Sequence, residues 1–243
     1  MSEKILLMHG LSGTPDDMVY LAERLKKPGY DIINITLPGH AKNPEALLPV
    51  TMEDWINAVF EQIMRIDDGV CLIGQSMGAL IAVHAAYIFK DRIKSIILLA
   101  PAIKLYGIFN RIFMHALYVY GSLFHIPELY YSKKNGSDIA DNHVKTAYNG
   151  YKKIPLKALF EFERLRRLAY KELKHITCPI LTIYSQQDHT ISKDAGITII
   201  KLADSEIKSS IVLRRPYHVI SIDLDKEQAA DNILHFLDYK SKS

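Results

Sequence analysis

The sequence predicts an α/β protein built on a mainly parallel sheet of about six strands flanked by helices. Short continuous apolar runs bounded by turn residues recur along the chain, as strands covered on both faces require. Helical segments with one apolar stripe alternate with these runs, the pattern of βαβ units joined right-handedly. The alternation lapses between Pro101 and about Leu173, which predicts a helical insertion after the fourth strand.

Lys4-Ile5-Leu6-Leu7-Met8, closed by His9-Gly10, is the first such run. Thr14-Pro15-Asp16-Asp17 then supplies a capping hydroxyl, a proline at the first helical position and two acids in the first turn, so a helix is expected to about Lys27, stopped by Pro28-Gly29. A second strand is expected over Tyr30 to Leu37, followed by the turn Pro38-Gly39-His40. Thr51 opens a helix whose Trp55, Val59 and Ile63 fall on one face. The unit repeats with a strand over Gly69 to Gln75, a helix after Ser76 and a strand over Lys94 to Leu99.

Within the lapse, helical pieces are expected at about 106–124, 137–149 and 155–170, with no strand pair. Alternation resumes with a strand over Ile180 to Ser185, a helix from about Ser192 to Leu202, a strand over Ser210 to Leu213 and a last helix near Glu227 to Tyr239. The expected division is a core of residues 1–100 and 174–243 carrying an insertion of residues 101–173.

Composition excludes several classes. Apolar residues make up 49% and charged residues 23%, ordinary for a folded globular chain. With 30 basic against 27 acidic residues, the net charge of +3 is too balanced to point to nucleic acid. Arg164, Arg166, Arg167, Lys171 and Lys174 read as a solvated helix face. Cys71 and Cys178 read as buried small hydrophobes, and no cysteine or histidine spacing suggests a metal site. The apolar stretch Ile112 to Ile126 falls short of the ~20 residues a membrane span needs. Met1-Ser2-Glu3-Lys4 runs directly into a strand pattern with no secretory apolar region, so the expected location is cytoplasmic.

Chemistry gathers where parallel strands end. The third strand ends in Gly74-Gln75-Ser76-Met77-Gly78, a serine on a sharp strand-to-helix turn with glycines where strand and helix crowd. Such a turn lifts the hydroxyl out of the sheet and beside backbone N–H donors, which an otherwise poor nucleophile needs. The fifth strand leads to Asp188 and His189, and the sixth to His218. Ser76 as nucleophile, Asp188 as orienting acid and His218 as base therefore arrive from separate elements, in that chain order. Asp194 is the rival acid, read instead as part of the next helix's first turn, capped by Ser192. Of the ten histidines, His84, His115, His143, His175 and His235 read as ordinary surface or core residues. The backbone amides of Met77 and Leu11 are the candidate oxyanion donors. His9 reads as structural and Ser12 as a polar neighbour of the site.

With those residues assembled, the chain resembles the monoglyceride-lipase and small bacterial carboxylesterase branch of the α/β-hydrolases. His9-Gly10-Leu11-Ser12-Gly13 is similar to that family's His-Gly-Phe-Thr-Gly loop, Leu37-Pro38-Gly39-His40 to its Pro-Gly-His-Gly turn, and Gly74 to Gly78 to its elbow. His218-Val219-Ile220-Ser221-Ile222-Asp223 resembles its terminal His-Val-Ile-Thr-Leu-Asp. Three positions depart: Leu11 stands for an aromatic residue, Ala41 for the glycine after His40, and Tyr217 for the small residue before the histidine.

The resemblance implies the α/β-hydrolase fold with the insertion as a helical cap, and an acyl-enzyme serine esterase with neither metal nor organic cofactor. Its substrate would be a small ester with an apolar acyl group of short to medium length, monoacylglycerols being candidates. Tyr106, Phe109, Phe113, Met114, Leu117, Tyr118, Tyr120, Phe124 and Tyr130 make the cap window rich in adaptable apolar side chains, most of which read as packing the cap onto the sheet. Two alternatives stand beside this one. A serine aminopeptidase or amidase would use the same triad, with Glu128, Glu161 or Glu163 binding a substrate ammonium. A binding module would have kept the fold without the chemistry.

Overall fold

The computed structural model describes residues 3–40, 42–133 and 136–240. Ala41, one of the three departures, lies outside them. The described residues hold eight strands: β1 Lys4–Met8, β2 Asp31–Ile35, β3 Val70–Gln75, β4 Ile93–Leu99, β5 Tyr130–Ser132, β6 Lys153–Pro155, β7 Ile180–Ser185 and β8 Lys208–Leu213. Six form one sheet in the order β2-β1-β3-β4-β7-β8, with every described pairing parallel. The helices are α1 Val19–Lys26, α2 Met52–Met64, α3 Met77–Ile88, α4 Ile108–Leu123, α5 Asn142–Ala147, α6 Leu156–Glu172, α7 Ala195–Leu202 and α8 Lys226–Lys240. They flank the sheet: α1 meets α8, α7 lies on β7 and β8, and α2, α3 and α6 pack on one another.

β1, β3 and β7 are buried along almost their whole length, which is why they read as unbroken apolar runs. α3 is buried almost throughout, so its small residues let it lie close against β3 and β4. α2 shows its expected stripe, with Trp55, Val59 and Ile63 fully buried. Its start is fixed by a reciprocal box in which Thr51 Oγ1 accepts from Asp54 N–H and Asp54 Oδ2 accepts from Thr51 N–H.

Several boundaries differ from the sequence reading. The insertion does contain a strand pair, the antiparallel β5 and β6. Each is three residues long, too short to show a period. Thr14 and Pro15 open a 3-10 turn, Pro15–Met18, before α1 begins. β2 stops at Ile35 because Leu37 turns its N–H to the imidazole of His9 (3.2 Å). The middle insertion helix shrinks to α5, capped by the Asp141 carboxylate, which accepts from His143 and Val144.

α7 starts at Ala195 rather than Ser192. Ser192 is held outside it, donating its N–H to Lys104 C=O (2.8 Å) beside a bridge between Leu105 and Ile191. Asp194 takes the N-cap position with no capping hydrogen bond from its side chain, so Ser192 is not the cap. Cys71 is buried as expected, whereas Cys178 is only half-buried. Among the described residues no helix is long and apolar enough to cross a membrane.

The arginine cluster is not a plain solvated face. Glu163, wholly buried on α6, takes Arg166 through both carboxylate oxygens and Arg167 through one (2.7–2.8 Å). Buried Glu161 accepts from Met52 N–H and from Arg164, which reaches on to Glu53. The arginines neutralise acids buried along α6, because an unpaired buried carboxylate is costly.

Candidate active site

The site forms at the carboxyl ends of β1, β3, β7 and β8, beside the point where the strand order turns from β1 toward β3. Ser76 stands between β3 and α3 at φ 56° and ψ −108°, a left-handed backbone that a residue with a Cβ adopts only under constraint. The constraint is visible. Its N–H donates to Leu99 C=O (2.9 Å), and a Cβ on Gly74 would fall inside the backbone of Gly78, while one on Gly78 would fall inside that of Met8. Both elbow glycines therefore serve close approach of backbones.

Ser76 Oγ lies 2.8 Å from His218 Nε2, and His218 Nδ1 lies 2.8 Å from Asp188 Oδ2. The carboxylate fixes the Nδ1–H tautomer, leaving Nε2 as the acceptor for the hydroxyl. Asp188 is buried, and its Oδ1 accepts from Thr190 and Ile191 N–H (2.7 and 2.8 Å). Burial acts to lower the pKa of His218, and the Asp188 carboxylate opposes it by charge and by hydrogen bond. Asp138 adds to the rise and Lys133 opposes it, and the net shift is upward.

Asp194 lies apart from this group, paired with Lys104 and Ser192. Gly10 packs so closely on the serine that a Cβ there would sit 3.2 Å from Ser76 Cβ. That contact brings the Leu11 loop against Ser76, beside the start of α3 at Met77. Neither the Leu11 N–H nor the Met77 N–H donates to another described residue.

The Leu11 loop is held from behind by two imidazoles. His9 donates from Nδ1 to Gly10 C=O (2.9 Å) and accepts Leu37 N–H at Nε2. Burial, aided by neighbouring His40, pushes its pKa down to about 3, so it stays neutral. His40 Nε2 lies 2.7 Å from Leu11 C=O. Tyr151 N–H donates to Ser12 C=O (2.8 Å), and Lys133 donates to Ser12 Oγ. Lys133 belongs with buried Asp17 and half-buried Tyr148 in a polar cluster. Tyr148 donates its hydroxyl to Asp17 (2.9 Å), burial pushes the Asp17 carboxyl up to about 7, and burial brings the Lys133 amine down to about 8.

His9 is structural and Ser12 a polar neighbour, as the sequence suggests, whereas two further supports, Gln75 and Asp223, were not singled out by it. Gln75 is buried and accepts Ser221 N–H (3.0 Å), tying the elbow to the His218 loop. Asp223 accepts from Tyr217, Ala140 and Asp141 N–H (2.8–2.9 Å). A polar residue inside or beside a recognised motif was the one available signal for both. Tyr217 is half-buried and sets its ring edge-on to His189 (centroids 4.6 Å apart). Among the described residues no group of three or more His, Cys, Asp or Glu could hold a metal ion.

The apolar residues of α4 divide. Met114 and Leu117 are buried, but Phe109, Ile112 and Leu123 are exposed, Phe109 at 84%, as is Phe124 just past the helix. Most of the aromatic residues expected to pack the insertion onto the sheet therefore do not, because α4 turns only one narrow stripe inward.

The family model described as serine aminopeptidase, S33 (Hydrolase_4) matches residues 1–225. The chain is 29% identical over 235 residues to a thermostable monoacylglycerol lipase from Bacillus sp. (strain H-257), covering 96% of this chain and 89% of that one. Among solved structures it is similar to one of the metagenome-derived lipolytic enzymes LipS and LipT, at a TM-score of 0.86 and 27% identity, over 97% of this chain and 93% of that one. The monoacylglycerol lipase of Paleococcus ferrophilus shares the fold at a TM-score of 0.83 and 19% identity, over 98% and 94% of the two chains. The chain belongs to the Hydrolase_4 family and has the α/β-hydrolase fold.

Proposed function

With that membership as premise, we propose that Ser76, His218 and Asp188 are the catalytic triad of this serine ester hydrolase. The observation that carries the reading is the continuous chain of two 2.8 Å contacts from Ser76 Oγ through His218 to Asp188. Ser76 attacks the ester carbonyl while His218 accepts its proton at Nε2. The Leu11 and Met77 N–H groups take the oxyanion of the tetrahedral intermediate, each such donor being worth about 3–4 kcal/mol in comparable sites. His218 then protonates the departing alcohol. A water molecule, deprotonated in turn by His218, releases the acid from the acyl-enzyme.

In this reading residues 101–173 form a cap on a core of residues 1–100 and 174–243. The exposed apolar side chains of α4 suit a substrate with an apolar acyl group, monoacylglycerols included. A cytoplasmic location belongs to the same proposal, supported by the two free thiols.

The family's description keeps an aminopeptidase in view, but the site's charge favours an ester. Glu163 and Glu161 are already committed to arginines, leaving Glu128 alone of the three candidates for a substrate ammonium. Lys133, which donates to Ser12 in the Leu11 loop, would repel one. A panel of p-nitrophenyl esters of increasing acyl length tests the proposal beside aminoacyl-p-nitroanilides. Ester turnover that vanishes in Ser76→Ala is the expected result; equal slow turnover by both proteins would overturn it.

A further inference from the structure

Asp138 lies in the insertion, between β5 and α5, yet it touches both loops that carry the acid and the base. Its carboxylate accepts three hydrogen bonds from the segment just after Asp188. These come from His189 N–H (3.0 Å), His189 Nδ1–H (2.9 Å) and the Thr190 hydroxyl (3.0 Å). Its backbone carbonyl accepts from the other loop, from His218 N–H (3.0 Å) and Val219 N–H (3.3 Å). Two residues on, Ala140 and Asp141 donate to Asp223, whose carboxylate also takes Tyr217 N–H beside the base.

The short run 138–141 is therefore stitched to the acid loop by a side chain and to the base loop by the backbone. The stems of the two loops are paired where β7 and β8 end, by Gln186 N–H on Leu213 C=O and by Ser185 and Gln187 on Pro216 and Arg214, but Asp188 and His218 themselves lie beyond the last rung, where the 138–141 run joins them. The Asp188–His218 contact spans the gap between the two loops.

We propose that Asp138 is a positioning residue of the triad, joining the Asp188 loop to the His218 loop and adding a second negative charge near the imidazole. The inference rests on the triad reading above. Asp138 touches neither Ser76 nor a substrate position, and it acts through Asp188 and His218.

The charged groups facing His218 are Asp188 from the loop after β7, and Asp138 and Lys133 from the insertion. Those facing Asp138 are His189, His218 and Lys133. Removing the Asp138 charge leaves Asp188 and Lys133 in place, so the imidazolium loses part of its support and gives up its proton at lower pH.

The test uses the whole chain, p-nitrophenyl butyrate and active sites counted with a phosphonylating reagent. Asp138→Asn keeps the side chain's shape and removes its charge. The acidic limb of its kcat/KM profile is expected to move down by about half a pH unit. The kcat per active site is expected to fall about tenfold with KM little changed. Asp138→Glu should return the limb toward its native position. Thr190→Val, which removes one partner and leaves the charge, should lower kcat without moving the limb. The limb position does not depend on the folded fraction, so a merely destabilised variant cannot imitate the shift. Native limb position and native kcat in both Asp138→Asn and Thr190→Val would overturn the proposal. Ser76→Ala separates the two failures, since unchanged turnover there rejects the triad itself.

Discussion

The Asp188 carboxylate serves two loops at once: Oδ2 lies 2.8 Å from His218 Nδ1, while Oδ1 receives Thr190 and Ile191 N–H. One oxygen fixes the loop and the other fixes the imidazole. This division explains how the buried Asp188 carboxylate stays oriented toward an imidazole on a different strand's loop.

The raised pKa of His218 sets the direction of the pH profile. As the base of the proposed triad His218 works only when neutral, so kcat/KM should rise as pH passes through the imidazole's pKa in the free enzyme. The midpoint is expected above 6.5, the ordinary histidine value. Asp188→Asn should lower kcat by roughly four orders of magnitude. Asp194→Asn, which alters an exposed pairing with Lys104, should stay close to native. Pre-steady-state and steady-state rates from pH 5 to 9 decide it, and a reversed ranking of the two variants rejects the assignment.

Gly78 has no room for a side chain, since a Cβ there meets the backbone of Met8 and His9. Backbone atoms cannot swing aside as a flexible side chain would. Gly78→Ala should therefore destabilise the protein by about 2 kcal/mol or more, despite the better helix propensity of alanine. Urea unfolding of Gly78→Ala beside Gly29→Ala checks this. Gly29 has open space around it and pays only for its φ of 101°.

Legibility from sequence followed the range of the interactions. β1, β7 and the stripe of α2 are continuous signals, written by burial of neighbouring residues, and their boundaries came out nearly right. The spacing around Ser76 is equally local, because the elbow is a five-residue object. The short β5–β6 pair and the late start of α7 were not readable, since each depends on a partner distant in the chain. Asp138 was missed for the same reason. Its partners lie some fifty residues or more away, and no period marks it. The arginines of α6 misled because their charge suggests solvent, while the buried Glu163 that draws them in is visible only after packing.

That buried acid gives a stability prediction. Glu163 has no solvent exposure, and Arg166 and Arg167 share its charge. Glu163→Gln leaves both guanidinium groups with a weaker acceptor, and breaking such a pair costs about 3 kcal/mol or more. In a chain of this size that corresponds to a fall in Tm of roughly 6–12 °C. Lys153→Ala, which removes an exposed partner of Glu45, should leave Tm close to native. Calorimetry on the two variants compares them, and equal losses would reject a special role for the buried acid.

Asp17 should make the fold less stable as pH rises through the acid range. Its carboxyl is raised in the folded protein to about 7 from an ordinary 3.8. Burial is the cause, only partly relieved by the Tyr148 hydroxyl and by the charge of Lys133. Between those values the folded chain holds a proton that the unfolded chain has released, so stability falls with each step up in pH. Below about 4 both states are protonated and above about 7 both are ionised, and there the contribution is flat. Each unit of the shift corresponds to about 1.4 kcal/mol. Asp17→Asn keeps an oxygen for the Tyr148 hydroxyl and removes the ionisation. Its Tm should exceed that of the native protein at pH 8, with the difference shrinking toward pH 4. Melting curves across that range test it, and two parallel Tm profiles would show that Asp17 does not carry the titration.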